Sequence, residues 1–377
     1  MANVEVPKTM LAWQKHLPSK TPVRVEIPVP MPQDDEVLVK IHAVGVCHSD
    51  YNIKELEAHP MEFTSGRMNF TMVCAFTIHV DSSLTISHGG QGHEGCGEVV
   101  SMGPTAYRHQ IGDMVALLCV PGCNSADCPE CSGGVPQLCL VGPRYGGGPD
   151  GFFAPYAVVR EHAAIKVPKG VDAGVAAVAT DACITSYHAV TNRAQVKKDD
   201  VVLLFGLGGL GFNALQFILH IGARVIAVDQ RQVVLDEAVK FGVRKDDIVP
   251  AGTPDVSSWV RERNLRVDKA IDFVSVQDTY QAAIDSVRRG GTVISVGLLS
   301  SELKFRTATL VRKQLNLLGS YGGTSADVAA CLDLCAQGVL VPQVQEGSLR
   351  DFPQILEDLH HGKIKSRMVM RPEGMEI

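Results

Sequence analysis

One stretch narrows the fold of this chain more than any other: "VVLLFGLGGLGFNALQFILHIGARVIAVDQ", Val201 to Gln230. An apolar run leads straight into Gly206, Leu207, Gly208, Gly209, Leu210 and Gly211, then into a helical pattern and a second apolar run ending at Asp229. Gly206 permits a tight turn, Gly208 lets backbone approach a pyrophosphate, and Gly211 allows a helix to pack closely on its strand. The helix start offers free N–H groups and the positive end of its dipole to phosphates. Asp229 lies about 20 residues on, where a carboxylate accepts both hydroxyls of an adenosine ribose. That carboxylate repels a ribose phosphate, so NAD is expected over NADP, with Arg231 close by tempering the preference.

The pattern around this stretch is of two kinds. Before about Val190, short β-like runs ("EVLVKIHAVGV", "GEVVSMG", "GDMVALLCV", "FFAPYAVV") are broken by Gly and Pro, which predicts an antiparallel, barrel-like domain. After it, the runs "VVLLFG", "RVIAVD", "KAIDFV", "TVISVG" and "LNLLGS" alternate with helix-like "GFNALQFILHIG", "QVVLDEAVKFG" and "YQAAIDSVRRG". Buried strands alternating with helices predict a parallel, doubly wound sheet. From Ser325 a helical pattern leads to a last strand in "KIKSRMVMRP". A length of 377 residues suits two domains.

Charge and cysteine content narrow the partners. With 35 basic against 41 acidic residues the net charge is −6, which argues against nucleic acid and anionic membrane. The start, "MANVEVPKTMLAWQKHLPSK", carries no apolar core of signal-peptide length, so a cytoplasmic protein is expected. Of 11 cysteines, Cys123, Cys128, Cys131 and Cys139 crowd into one segment, which points to metal before disulfide. "GVCHSD" adds Cys47 at a strand end, and "GHEGCGE" adds His93 beside Glu94. "ATDACITSYHAV" offers an acid, Asp181, and a thiol, Cys183, two residues apart.

Together these motifs resemble the zinc-dependent alcohol dehydrogenases of the medium-chain dehydrogenase/reductase family, over nearly the whole chain. The resemblance implies an α/β fold: a GroES-like β-barrel catalytic domain over 1–185 and a Rossmann dinucleotide-binding domain over 186–325. A C-terminal segment over 326–377 returns to the first domain. It implies a catalytic zinc on Cys47 and His93, and a structural zinc lobe at about 119–140 held by Cys123, Cys128, Cys131 and Cys139. Ser49 matches the hydroxyl that takes the substrate proton, and Asp50 and Glu94 match acids that orient ligands. His48 and Arg367 match residues that meet the cofactor pyrophosphate. The threonine that touches the nicotinamide aligns with Thr185, and counting back four assigns the third ligand to Asp181, an aspartate found there in some bacterial members. Residues two apart in a helical turn point about 200° apart, so Asp181 and Cys183 do not share one metal, and Cys183 is left to packing. The expected reaction is reversible oxidation of a primary or secondary alcohol to an aldehyde or ketone with hydride transfer to NAD. A homodimer or homotetramer is the expected assembly.

Three departures stand against the family pattern. Cys123 precedes Cys128 by two residues more than usual, so a lobe that has lost its metal is the alternative. Asn52 replaces a histidine that ends a proton relay, and an amide is no base near neutral pH. Cys47 and His93 lie 46 positions apart, roughly twice the usual interval. The surplus at about 65–91 is either an inserted loop or untranslated sequence such as an unspliced intron. Its apolar run "FTMVCAFTIHV" sits badly on a surface and favours the second, and Cys74, His79 and His88 are given no role. Two rival functions follow: a zinc-independent reductase of activated double bonds, and a non-catalytic dinucleotide-binding redox sensor.

Overall fold

The computed structural model describes residues 6–16, 19–55, 88–90, 92–147 and 150–375, and the chain divides into two compact units. The first gathers Met1–Asp181, Thr324–Ala336 and Gln343–Ile377; the second gathers Ala182–Gly323 and Gln337–Pro342. Of the surplus segment at about 65–91 only the short strand His88–Gly90 is described, so its origin, with Cys74 and His79, lies outside the described residues.

In the first unit, β1 (Thr9–His16), β2 (Val23–Pro28), β3 (Glu36–Val46), β4 (His88–Gly90), β5 (Glu94–Met102), β6 (Met114–Leu118), β7 (Tyr156–Arg160) and β8 (Ala164–Lys166) form two sheets. β1 lies between β2 and β4. The larger sheet runs β14–β15–β3–β5–β6–β8 with β7 also on β3, where β14 is Val344–Ser348 and β15 is Arg367–Arg371. β3 is the organiser: Val37, Leu38, Val39, Ala43, Val44 and Val46 are fully buried, because β5, β7 and β15 all pair with it. Its apolar side joins Leu117, Phe152, Phe153 and Phe352 in one core. The Trp13 indole N–H, buried in the same core, donates to the Leu349 carbonyl at 2.6 Å.

In the second unit, β9 (Val201–Phe205), β10 (Arg224–Val228), β11 (Val267–Asp272), β12 (Val287–Ser295) and β13 (Asn316–Gly319) make a parallel sheet in the order β10–β9–β11–β12–β13. Parallel strands covered on both faces need near-continuous apolar sequence, which "VVLLF" supplies. Ile248 adds an isolated parallel bridge to Ala227 of β10. Chain order reverses at β9, with β10 on one side and β11 on the other, which opens a crevice at the strand ends for a ligand.

One element differs from the sequence expectation. The helix expected through "YQAAIDSVRRG" stops at Ser286, and Val287 begins β12. Val287 pairs with Val267 of β11, so a β-branched residue gains a ladder partner by leaving the helix. Among the described residues no helix is long and apolar enough to cross a membrane.

Candidate active site and metal centres

Cys47 ends β3, and the helix His48–Glu55 begins immediately after it. The turn between them is tied from both sides. The Cys47 N–H donates to Asp50 Oδ2 at 2.9 Å, and the Ser49 N–H donates to Cys47 Sγ at 3.3 Å. His93 precedes β5, with Nε2 3.2 Å from Cys47 Sγ and Nδ1 3.2 Å from Asp50 Oδ1. One ring nitrogen thus faces the thiol and the other a carboxylate, the arrangement that fixes the orientation of a metal-bound imidazole.

Asp181 comes from a single π-helical turn, Ala179–Cys183, and Arg367 Nη2 donates to its Oδ2 at 2.9 Å. The same guanidinium reaches Glu94, with Nη1 3.4 Å from Oε1. Glu94 is fully buried and fits only because residue 45 is glycine: a Cβ there would collide with the Glu94 carboxylate. Ligand atoms of Cys47, His93, Glu94 and Asp181 all lie within 4.8 Å of one another, and Cys183 is not in that group. Cys183 is instead wholly buried.

The electrostatics of this cluster suit a bound cation. Burial raises the Cys47 thiol, against the lowering influence of His93. Burial likewise pushes Glu94 up to about 8, against Arg367. Burial alone would lower His93, but Asp50 and Cys47 outweigh it and hold the imidazole well above its ordinary value. At Asp181 the upward pull of burial is overcome by Arg367 and His93. A thiol and three carboxyl groups thus face one arginine and one histidine, and a cation bound among them would favour the ionised thiolate and carboxylates over their protonated forms. A tetrahedral zinc with bonds of about 2.3 Å to sulfur and about 2.0 Å to nitrogen separates those two ligands by about 3.5 Å. The 3.2 Å between Cys47 Sγ and His93 Nε2 fits.

The cysteine lobe brings all four of its sulfurs within 4.8 Å of one another. Cys123 and Cys131 are 3.7 Å apart, as are Cys128 and Cys139. With zinc–sulfur bonds of about 2.3 Å, the edge of a tetrahedron is about 3.8 Å. The two extra residues after Cys123 are absorbed locally: Asn124 takes a left-handed conformation (φ 58°), and the Cys128 N–H closes a turn onto the Ser125 carbonyl at 3.3 Å. Burial works upward on Cys139, but the Val141 and Cys123 N–H groups outweigh it and bring the thiol down to about 7. Cys119, the other thiol of this region, is not in the four; burial pushes it up to about 12.

In the second unit the glycine turn has the shape that a pyrophosphate needs. Gly206 adopts φ +82°, and a Cβ at Gly211 would strike the Gly206 carbonyl oxygen. At Gly208 a Cβ would meet only open space. The following helix, Gly211–Ile221, has no side-chain cap on its first turn. Leu210 and Gly209 are fixed through their carbonyls, which accept from Ser186 Oγ at 2.7 Å and Asn213 Nδ2 at 2.9 Å. Thr185, next to Ser186 on the helix Ile184–His188, is 9% exposed. Asp229 follows β10 and accepts the Leu207 N–H at 2.8 Å.

Two arginines do more than the sequence reading assigned them. Arg367, expected only at a pyrophosphate, holds Asp181 and Glu94 together, and Arg231 grips Asp229. Arg231 had a visible signal, two residues from the acid. Arg367 had none, because its partners are distant in the chain. His48 stands exposed at the start of its helix, and burial followed by the Arg367 charge lowers its imidazole.

Comparison with known proteins gives a consistent picture. Residues 33–169 match the family described as alcohol dehydrogenase GroES-like domain, and residues 209–337 match the family described as zinc-binding dehydrogenase. Alcohol dehydrogenase 1 of Emericella nidulans is 30% identical over 92% of this chain and 93% of its own length. Among solved structures, an acetophenone reductase from Geotrichum candidum in complex with NAD is 33% identical, covering 97% of this chain and 98% of that one, with a TM-score of 0.81. An alcohol dehydrogenase from the archaeon Aeropyrum pernix is 26% identical, covers 96% and 100%, and also has a TM-score of 0.81.

Proposed function

Because this chain belongs to the zinc-type medium-chain alcohol dehydrogenases and oxidises alcohols with NAD, we propose the following division of labour among its residues. Cys47, His93 and Asp181 hold the catalytic zinc, and Cys123, Cys128, Cys131 and Cys139 hold a structural one. A closed four-thiolate shell leaves no position for substrate, whereas three protein ligands leave one open. When bound, the catalytic metal supplies a Lewis acid at the alcohol oxygen and the nicotinamide a hydride acceptor.

The protein's residues set alignment and proton flow. Asp50 holds His93 through Nδ1 and Cys47 through its backbone N–H, so both ligands are oriented before metal arrives. Ser49, anchored by its N–H to the Cys47 sulfur, takes the hydroxyl proton of the alcohol. Asn52 cannot accept that proton in turn, so it passes to water. Thr185 positions the nicotinamide ring. His48 and Arg367 serve the pyrophosphate, and Glu94 tunes the metal charge through the shared Arg367. Gly206, Gly208, Gly209, Leu210 and Gly211 form the phosphate cradle, and Asp229 receives the adenosine ribose.

Four lobe thiols that must stay reduced to bind metal suit a cytoplasmic setting. A homodimer or homotetramer is supported by Leu298, Leu299 and Val311, exposed in the unit whose sheet ends at β13.

The observation that carries the proposal is the Cys47–His93–Asp181 group with Asp50 behind His93. Zinc analysis combined with NADH appearance on a panel of primary and secondary alcohols tests it. Two zinc ions per chain and turnover of at least one alcohol are expected; metal-free protein with no turnover would contradict the assignment.

A further inference from the structure

The acid that follows β10 is saturated. A carboxylate offers about four lone-pair positions, two on each oxygen. Asp229 Oδ1 accepts the Arg231 backbone N–H at 2.9 Å and Arg231 Nε at 2.9 Å. Oδ2 accepts the Leu207 N–H at 2.8 Å and Arg231 Nη2 at 3.0 Å. Two of these donors are backbone groups fixed by their turns. The other two belong to one side chain and place one N–H on each oxygen. An adenosine ribose presents an adjacent pair of hydroxyls, again one donor for each oxygen, so the arginine fork stands where the diol would dock.

That fork is removable. The Arg231 side chain is 54% exposed against 7% for Asp229, and its further hydrogen bond, Nη2 to the Leu207 carbonyl, is long at 3.4 Å. Exposed ion pairs of this kind are worth little. Once it leaves, Asp229 keeps its two backbone donors and regains one free position on each oxygen. The guanidinium stays on a short tether beside the ribose, where a bidentate fork suits a phosphate. Placed between the acid and a 2′-phosphate, it also screens their mutual repulsion.

We propose that Arg231 is a displaceable stand-in for the adenosine ribose: it must swing off Asp229 to admit NAD(H), and it then serves as a ligand for the 2′-phosphate of NADP(H), so that this chain binds both. The inference rests on the dinucleotide site at the glycine turn, and the test separates the two.

The zinc-loaded enzyme is titrated with NADH and separately with NADPH, following quenching of tryptophan fluorescence, for the natural chain, Arg231→Ala and Arg231→Lys. The natural chain should bind both. Arg231→Ala should bind NADH about fivefold more tightly, because no competitor remains, and NADPH at least about tenfold more weakly. Arg231→Lys, which keeps charge without the fork, should match Arg231→Ala towards NADH and fall between the two towards NADPH. Unchanged or weaker NADH binding by Arg231→Ala overturns the stand-in role, and a natural chain that binds NADH but not NADPH overturns the phosphate role. Binding of neither nucleotide would overturn the dinucleotide site itself and the inference with it. If Arg231→Ala does not fold, Arg231→Gln is read by the same outcomes.

Discussion

At Asp181 a carboxylate is shared between Arg367 and the ligand group of Cys47 and His93, while two residues on, Cys183 is wholly buried and outside that group. Asp181→Ala should therefore remove one zinc per chain, measured by inductively coupled plasma spectrometry, together with turnover. Cys183→Ala should keep both and lose about 1 kcal/mol of stability from a small cavity; the reverse result would exchange their roles. Asn52, exposed on the helix that carries Ser49 and Asp50, gives a second test. Asn52→His supplies the missing base, and turnover should rise; a rate that is unchanged or lower at every pH would refute the weakened relay. Much of this group was legible in the sequence because chemistry restricts it: a thiol, an imidazole and an acid in fixed order have few other uses. The Arg367 contacts were not legible, since nothing local links residue 367 to 94 or 181. The spacing of Cys123 reads as a departure that a flexible loop absorbs, and backbone geometry at Asn124 shows where.

Elements were readable where periodicity and burial agree. The five parallel strands announce themselves as apolar runs, and the β12 start was missed because "VRRG" continues a helical pattern until pairing with β11 claims it. One element junction carries a pH signature. Asp247, its side chain 1% exposed, receives Arg224 Nε at 3.0 Å and Nη2 at 2.6 Å, and Arg244 Nε at 2.7 Å. Burial opposes ionisation there, but the Arg224 and Arg244 hydrogen bonds prevail and hold the carboxyl below its ordinary range. A folded-state pKa below the unfolded value of about 3.9 means full stabilisation above pH 4 and progressive loss as pH falls through the lower folded value. Asp247→Asn should cost about 2 kcal/mol at pH 7. In urea titrations that difference should shrink below pH 4; one that persists at pH 2.5 would rule out the ionic contribution.

At the scale of the molecule, the two predicted zinc sites have separable consequences although both lie in the first unit. Cys139→Ser opens the four-sulfur lobe and should leave one zinc per chain. The melting temperature should fall by about 5 °C or more, while the zinc on Cys47 and His93 stays bound. Calorimetry with metal analysis checks this, and loss of both ions would show the sites to be coupled. The division of the chain was partly legible, as a change from short broken strands to alternating strands and helices. The small excursion Gln337–Pro342 into the second unit left no mark in composition.

The position of β15 carries a consequence for how the protein is made. Met368 on this strand pairs with Val46, next to Cys47, and Arg367 is the cation facing Glu94 and Asp181. A ribosome reading this message delivers every acid and thiol of the cluster well before the arginine that partners them. Until residues 367–371 clear the exit tunnel, the nascent first unit lacks both the strand beside Cys47 and the charge opposite its acids. Products truncated before β15 are therefore expected to carry the thiol and acids of the cluster without the arginine that holds Glu94 and Asp181 together.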